Sequence, residues 1–114
     1  MPHLVIEYSS DSIDESKVTA MVEKVFDVAV GSGLFAIENI KVRAIPVTAY
    51  RTGNSGPGFV SVQCRMHVGR SVAKKKALSE AIVSELRDLQ LGVAAITVEV
   101  VEMDPDSYSR YYTD

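Results

Sequence analysis

Hydrophobic and polar residues follow one another along this chain with two different spacings, and the same order of spacings occurs twice. Residues 2 to 8 read as a β-strand, and residues 13 to 30 place apolar side chains three and four positions apart. That spacing predicts a helix with one apolar stripe. Residues 37 to 50 then read as an extended segment, and Pro46 within it indicates an edge strand or a bulge because proline cannot donate a ladder hydrogen bond.

The second half of the chain repeats this order after a loop of turn-forming residues at 51 to 58. Residues 59 to 68 alternate between apolar and polar side chains, as in a half-buried strand. Residues 71 to 90 return to helical spacing, and residues 96 to 103 form a last strand. Two β-α-β units predict an α/β (α+β) fold, in which a four-stranded sheet carries two helices on one face.

We expect a single domain over residues 1–114, with pseudo-repeat halves at 2–50 and 58–103. Two helices would leave the second face of the sheet uncovered, although parallel strand pairs are normally covered on both faces. We therefore expect this face to meet another subunit in a small closed oligomer, with a half-polar monomer as the alternative. Its apolar members by strand alternation are Val5, Ile45, Val47, Phe59 and Val101.

Composition narrows the classes of partner. The net charge of −3 argues against a nucleic-acid surface, and the basic run at residues 74 to 76 is typical of a solvated helix face. The single cysteine, Cys64, lies in an alternating strand and is expected to be a packed thiol. No stretch approaches 18 uninterrupted apolar residues. We expect a cytoplasmic protein without a membrane or nucleic-acid partner.

Pro2 is the first candidate for chemistry. Removal of Met1, which is usual before a small residue, would leave the secondary amine of Pro2 as the amino terminus. An ordinary α-amino group has a pKa of about 8, and burial in apolar surroundings lowers it by disfavouring the charged form. Such an amine can act as a general base near neutral pH. The alternative is that a proline follows methionine by chance and has no role.

Three basic residues are candidates for binding an anion. Arg70 lies in the sequence Gly69-Arg70-Ser71, where a strand passes into a helix, so its guanidinium and the backbone N–H groups of the helix start could bind one carboxylate. Lys41 and Arg43 are two residues apart in a predicted strand and therefore share a face. Each signal is weak alone, since surface arginines and lysines are common. A base flanked by cations suits proton removal beside a carbonyl of an anionic substrate.

Taken together, these features resemble the tautomerase superfamily. The start Pro2-His3, the link at residues 33–35, the strand at 40–43 and the turn at 67–71 are most similar to 5-carboxymethyl-2-hydroxymuconate delta-isomerase. The resemblance implies a tautomerase-like homotrimer in which Pro2 moves a proton of a small anionic 2-oxo or 2-hydroxy acid. It implies no metal or organic cofactor.

The resemblance also assigns expected roles to the candidate residues. Arg70 matches the family's glycine-arginine-serine arginine and would bind a carboxylate or polarise the oxo group, while Lys41 and Arg43 would supply further positive charge. Tyr50 falls where these isomerases tend to carry an aromatic residue and would line the pocket. The family usually has arginine at the position of Lys41, and lysine supplies charge without a planar two-pronged donor.

Two other functions stay open at the level of sequence. The same scaffold supports dehalogenation and hydration, in which a protonated proline serves as the acid. The chain could also be a non-catalytic binding or assembly domain, in which case a retained Met1 would block the amine of Pro2.

Overall fold

The computed structural model of this protein describes residues 1–113 and shows strands and helices in the predicted order. The helices coincide with the segments in which apolar residues recur about every 3.6 positions, and the strands coincide with the segments in which apolar and polar residues alternate. The elements are β1 (His3–Ser9), α1 (Glu15–Gly31), β2 (Lys41–Val47), β3 (Val60–Met66), α2 (Val72–Asp88) and β4 (Ile96–Glu102), with a 3-10 helix at Ile37–Asn39 between α1 and β2.

The sheet confirms the doubled β-α-β arrangement. Its strand order is β2-β1-β3-β4, in which β1 pairs in parallel with β2, and β3 pairs in parallel with β4. The two units meet through the antiparallel pair β1 and β3. This topology brings the starts of β1 and β2 to the same end of the sheet as the ends of β3 and β4. We call this end the Pro2 end, and the opposite end, where β1 finishes at Ser9, the Ser9 end.

Both helices pack on one face of the sheet and enclose a single cluster of buried side chains. Each helix contributes three fully buried residues with four-residue spacing, which places them on one side of the helix. Fully burying a Leu or Ile side chain contributes about 1.5 to 3 kcal/mol, so this face accounts for much of the driving force for folding. The helical members are Met21, Val25, Ala29, Leu78, Ile82 and Leu86, and they pack against Leu4, Ile6, Tyr8, Val60, Val62, Cys64 and Met66 of β1 and β3.

The extended segment predicted at residues 37 to 50 is only partly correct. Its first three residues form the 3-10 helix, in which the N–H groups of Asn39 and Ile40 donate to the carbonyls of Ala36 and Ile37, at 3.0 and 3.1 Å. This turn reverses the chain before it enters β2, and alternation alone does not reveal it. β2 is an edge strand with an uninterrupted register to β1, so Pro46 is accommodated without a bulge.

The face of the sheet opposite the helices carries the expected apolar residues. The strand register places Val5, Ile45 and Val101 on this open face, and Ile45 is 41% exposed. Val47 and Phe59 lie on the same face at the Ser9 end. Within residues 1–113, no helix is both long and apolar enough to cross a membrane.

Candidate active site

Pro2 lies at the start of β1 and is among the fully buried residues of the chain. Its carbonyl accepts a hydrogen bond from the N–H of Lys41, at 3.2 Å, which continues the parallel pairing of β1 and β2 by one residue. Because β1 is an inner strand with neighbours on both sides, the position of Pro2 is fixed by the sheet. The nitrogen of Pro2 is bonded to Met1 in this structure.

Basic side chains form a row across the open face at the Pro2 end. Lys41, His3 and Arg65 occupy matching positions on β2, β1 and β3. Two residues beyond Lys41, and on the same face of β2, the guanidinium of Arg43 lies 3.1 Å from Nδ1 of His3. Since arginine is always a donor, this contact requires Nδ1 of His3 to be the acceptor of a neutral ring. The pKa of His3 is lowered by burial first, and then by the nearby charges of Arg43, the amino terminus, Lys41 and Arg65.

None of these cations has an acidic partner among residues 1–113. The ion pairs in this part of the chain join other residues, and Lys41, Arg43, Arg65, Arg70 and Arg110 take part in none of them. Like charges this close repel one another, and the repulsion lowers stability. A cluster of this kind at the Pro2 end has the electrostatics of an anion-binding surface.

Arg70 lies at the same end but on the turn between β3 and α2. Its guanidinium donates to the carbonyl of Leu34 at 2.8 Å and to that of His67 at 3.3 Å, and it lies 5.1 Å from the centre of the Phe35 ring. The side chain therefore ties the α1–β2 loop to the start of α2. Arginine has five N–H donors, so part of this group is free to bind an anion.

The start of α2 is stabilised by its own residues. The hydroxyl of Ser71 accepts a hydrogen bond from the N–H of Lys74, at 3.2 Å, which caps the helix. The preceding Gly69 has a φ of +117°, a conformation that residues with a side chain rarely adopt. This turn thus positions Arg70 by backbone geometry and by a helix cap.

Tyr50 lies at the Ser9 end, away from the other candidates. Its hydroxyl donates to the carboxylate of Asp11, and its ring meets Phe59 edge to face at 5.3 Å. β1 separates this position from Pro2 by about 20 Å, at roughly 3.3 Å per residue. Within one chain, Tyr50 and Pro2 cannot contact the same small substrate.

Two surface clefts of similar volume flank α1, and neither includes Pro2 in its walls. One, of about 560 Å³, lies between the two helices. The other, of about 580 Å³, lies between α1 and β2 and includes Lys41 and Arg43. No group of three His, Cys, Asp or Glu side chains within residues 1–113 could hold a metal ion.

The last residues of the described chain bring further groups to the Pro2 end. The ring of Tyr108 meets that of His67 edge to face at 5.4 Å. The hydroxyl of Tyr112 accepts a hydrogen bond from the amino group of Met1, at 3.3 Å, and its ring lies 5.0 Å from Nζ of Lys41. The pKa of the Met1 amino group is lowered by burial first, and then by the charges of Lys41 and Arg110.

The comparison of this sequence with protein families is decisive. The model of a family described as 5-carboxymethyl-2-hydroxymuconate isomerase matches residues 2–110. The chain belongs to this family. The resemblance inferred from the sequence is therefore confirmed. A search of curated proteins returned no match.

Solved structures place the fold of this family member among the tautomerases. A 5-carboxymethyl-2-hydroxymuconate isomerase from Deinococcus radiodurans is 24% identical, with a TM-score of 0.83 over 98% of this chain and 90% of that one. A member of the cis-3-chloroacrylic acid dehalogenase family is 18% identical, with a TM-score of 0.78 over 96% and 80%. A fused 4-OT described as a symmetric trimer is also 18% identical, with a TM-score of 0.75 over 89% and 85%.

Family and fold together support a tautomerase-type activity, and the chain is an enzyme of the tautomerase superfamily. Sequence reasoning missed several residues that this isomerase family member brings to the Pro2 end. Arg65 alternates outward in β3, which the sequence indicates, but its place beside His3 depends on the antiparallel pairing with β1. Arg110 and Tyr112 follow the last strand, and no periodic pattern predicts where such a segment packs.

Proposed function

We propose that this protein is an isomerase that converts an unsaturated 2-hydroxy or 2-oxo carboxylate, such as 5-carboxymethyl-2-hydroxymuconate, by proton transfer through Pro2. The observation that carries the proposal is the cluster of cations without acidic partners around the start of β1. The proposal requires that Met1 is removed, which frees the amine of Pro2. The same chemistry would suit the breakdown of aromatic compounds in the cytoplasm.

The environment of the amino terminus supports a neutral base. Burial, Lys41 and Arg110 lower the pKa of the Met1 amino group, and we expect the same surroundings to favour the neutral form of a Pro2 amine. That amine would accept the proton of the substrate's 2-hydroxyl group. The electron pair would move through the conjugated double bonds, and the same amine would return a proton to a distant carbon, which leaves a 2-oxo product. Protons and electrons both balance in this scheme, so it requires no oxidant or reductant, and we propose no metal or organic cofactor.

Three basic residues would hold the substrate in this scheme. The donors of Arg70 that remain free would bind a carboxylate or polarise the oxo group. Lys41 and Arg43 would bind a second carboxylate from the open face, where both side chains lie. Because negative charge moves onto the 2-oxygen during the reaction, cations placed beside it stabilise the transition state more than the substrate.

We further propose that the functional form is a homotrimer. Apolar residues on the open face, and the absence of Pro2 from the walls of the two clefts beside α1, support a site that a second subunit completes. Tyr50, at the Ser9 end, would then line the pocket of a neighbouring subunit. Sedimentation equilibrium should give three times the chain mass, and a monomer that retains full activity would contradict the trimer.

The decisive test combines intact mass with activity. We expect the mass to show loss of Met1, and we expect Pro2→Ala to lower kcat/KM at least about 100-fold, as for loss of a general base. Alanine is also small, so this variant should lose Met1 equally and change only the amine. Substrates should be 2-hydroxydienoates with one, two or three carboxylates, and Arg70→Ala should mainly raise KM.

The outcomes separate this function from its two rivals. Wild-type turnover by both Pro2→Ala and Arg70→Ala would exclude the mechanism. A pH profile of kcat/KM in which the active form carries a protonated Pro2 amine, and this amine keeps its proton to above about pH 9, would favour the dehalogenase or hydratase alternative. Retained Met1 together with undetectable turnover of every substrate in the panel would favour a non-catalytic binding or assembly domain.

A further inference from the structure

The segment after β4, residues 104–113, runs across the Pro2 end of the sheet. It leaves β4 where the N–H of Met103 donates to the carbonyl of Met66, at 2.9 Å. The ring of Tyr108 then contacts that of His67, in the turn after β3, and the ring of Tyr112 reaches Lys41 on β2. Crossing four strands requires about 14 Å, and nine extended residues span up to about 30 Å, so the segment has length to spare.

Tyr112 is the part of this segment that meets the amino terminus. Its ring lies 5.0 Å from Nζ of Lys41 and 5.0 Å from Cζ of Arg110. A cation near the face of an exposed aromatic ring is attracted to it modestly, so Lys41 and Arg110 each help to hold the Tyr112 ring in this position. Its hydroxyl is the acceptor for the Met1 amino group. The neighbouring Tyr111 instead is 84% exposed, so the two adjacent tyrosines have different environments.

Covalent geometry limits how far this hydroxyl lies from the proposed base. The nitrogens of Met1 and Pro2 are three bonds apart, which is at most about 3.8 Å. Added to the 3.3 Å hydrogen bond, this places the Tyr112 hydroxyl within roughly 7 Å of the Pro2 nitrogen. The α-amino group of Met1 occupies the space between them. Removal of Met1 leaves a gap of at most that width, which one oxygen substituent of a substrate can bridge.

We propose that Tyr112 is a substrate-contacting residue of the Pro2 site, where its hydroxyl donates a hydrogen bond to the 2-oxygen of the bound 2-hydroxy or 2-oxo acid. The assignment rests on the proposed function for the identity of the substrate. Residues 104–113 serve as the strap that holds Tyr112 in place, with Lys41 and Arg110 on its ring. The substrate's oxygen replaces the Met1 amino group as the partner of the hydroxyl, and the hydroxyl changes from acceptor to donor, which tyrosine permits.

The test compares Tyr112→Phe with Tyr111→Phe in protein whose mass shows that Met1 is absent. Phenylalanine keeps the ring between Lys41 and Arg110 and removes only the hydroxyl, so the strap stays in place. We expect kcat/KM of Tyr112→Phe to fall about 10-fold or more, as for a hydrogen bond to a charged group, and that of Tyr111→Phe to stay within about 2-fold. Equal kcat/KM for Tyr112→Phe and the wild type would overturn the assignment.

A binding measurement distinguishes failure of this assignment from failure of the proposed reaction. Titration calorimetry with 2-oxoadipate, a 2-oxo dicarboxylate without the conjugated double bonds through which the proposed reaction moves a proton, reports contact with the 2-oxygen without net conversion. We expect Tyr112→Phe to raise its Kd about 10-fold while Tyr111→Phe leaves it unchanged. An unchanged Kd for Tyr112→Phe would overturn the contact. If Pro2→Ala instead kept full turnover, the proposed reaction would fail while the binding result still decided the role of Tyr112.

Discussion

The two ends of the sheet are built in different ways. At the Ser9 end, Ser9 is fully buried and is bonded in both directions to the backbone of Phe59, at 3.0 and 3.3 Å, while the hydroxyl of Tyr50 is bonded to Asp11. At the Pro2 end, Lys41, Arg43 and their basic neighbours have no acidic partner among residues 1–113. Satisfied polar groups stabilise a fold, whereas clustered like charges weaken it. The first end therefore holds the chain together, and the second is suited to binding an anion.

The largest effect on stability is expected from Gly58→Ala at the Ser9 end. Gly58 has a φ of +64°, and a Cβ there would overlap the side chains of Ser9 and Ser12. Backbone strain and overpacking together should lower the free energy of unfolding by about 3 kcal/mol. Urea unfolding followed by circular dichroism measures the change.

A matched control is available in the same loop. Gly53 has no atom within 4 Å of a built Cβ, so Gly53→Ala should change stability by less than about 0.5 kcal/mol. The buried thiol of Cys64, whose pKa is raised to about 12 by burial, provides a second readout. It should react with a thiol reagent faster in Gly58→Ala than in the wild type. Equal stability of the two alanine variants would show that the Ser9 end does not hold the fold as described.

A smaller effect, on activity and not on stability, is expected from Lys41→Met at the Pro2 end. Methionine keeps the length of the side chain and removes its charge, so kcat/KM for a dicarboxylate substrate should fall about 10-fold, as for loss of a charge-assisted contact. Stability should change little, because the removal of one repulsive charge offsets the loss of the weak contacts that Nζ makes with the Asn39 carbonyl and the Tyr112 ring. Lys76→Met, on the exposed side of α2, is the control and should leave kcat/KM unchanged. A loss of stability in Lys41→Met without a loss of activity would reverse the roles of the two ends.

The smallest effect is a difference in pH dependence between the ends. The folded pKa of His3 lies below its ordinary value of about 6.5, so the unfolded chain binds more protons as the pH falls through that value, and stability declines on acidification. The pKa of Asp11 is lowered by hydrogen bonds from Tyr50 and then Ser12, so its contribution is present above its ordinary value of about 3.9 and is lost below it.

Thermal unfolding from pH 7 to pH 3 separates these contributions. His3→Gln should flatten the decline that begins below about pH 6.5, while Asp11→Asn should change only the decline below about pH 4. An unchanged slope near pH 6 in His3→Gln would mean that the basic row does not disfavour a protonated ring at His3. Asp11 is exposed and His3 is only half-buried, so we expect these changes to be small.

Much of the fold was predictable because it depends on local spacing. Segments with a period near 3.6 became α1 and α2, and alternating segments became strands, since each period places apolar side chains on one side of its element. The segment at residues 37 to 50 was predicted poorly at its start, because a 3-10 turn has no period of its own. The candidate site was predictable only in part. Pro2, Lys41 and Arg70 do lie at one end of the sheet, while Tyr50 lies at the other end of the same chain.

By itself, the sequence determined the order of the elements, the buried faces of the helices and the place of Pro2 at the start of the first strand. These features depend on neighbours within a few residues. Only the tertiary structure decided that Arg65 stands beside His3, that Arg70 is tied to Leu34, and that Tyr112 returns to the amino terminus. Those contacts join residues far apart in the chain, and the pairing of strands, which no local pattern specifies, sets which of them meet.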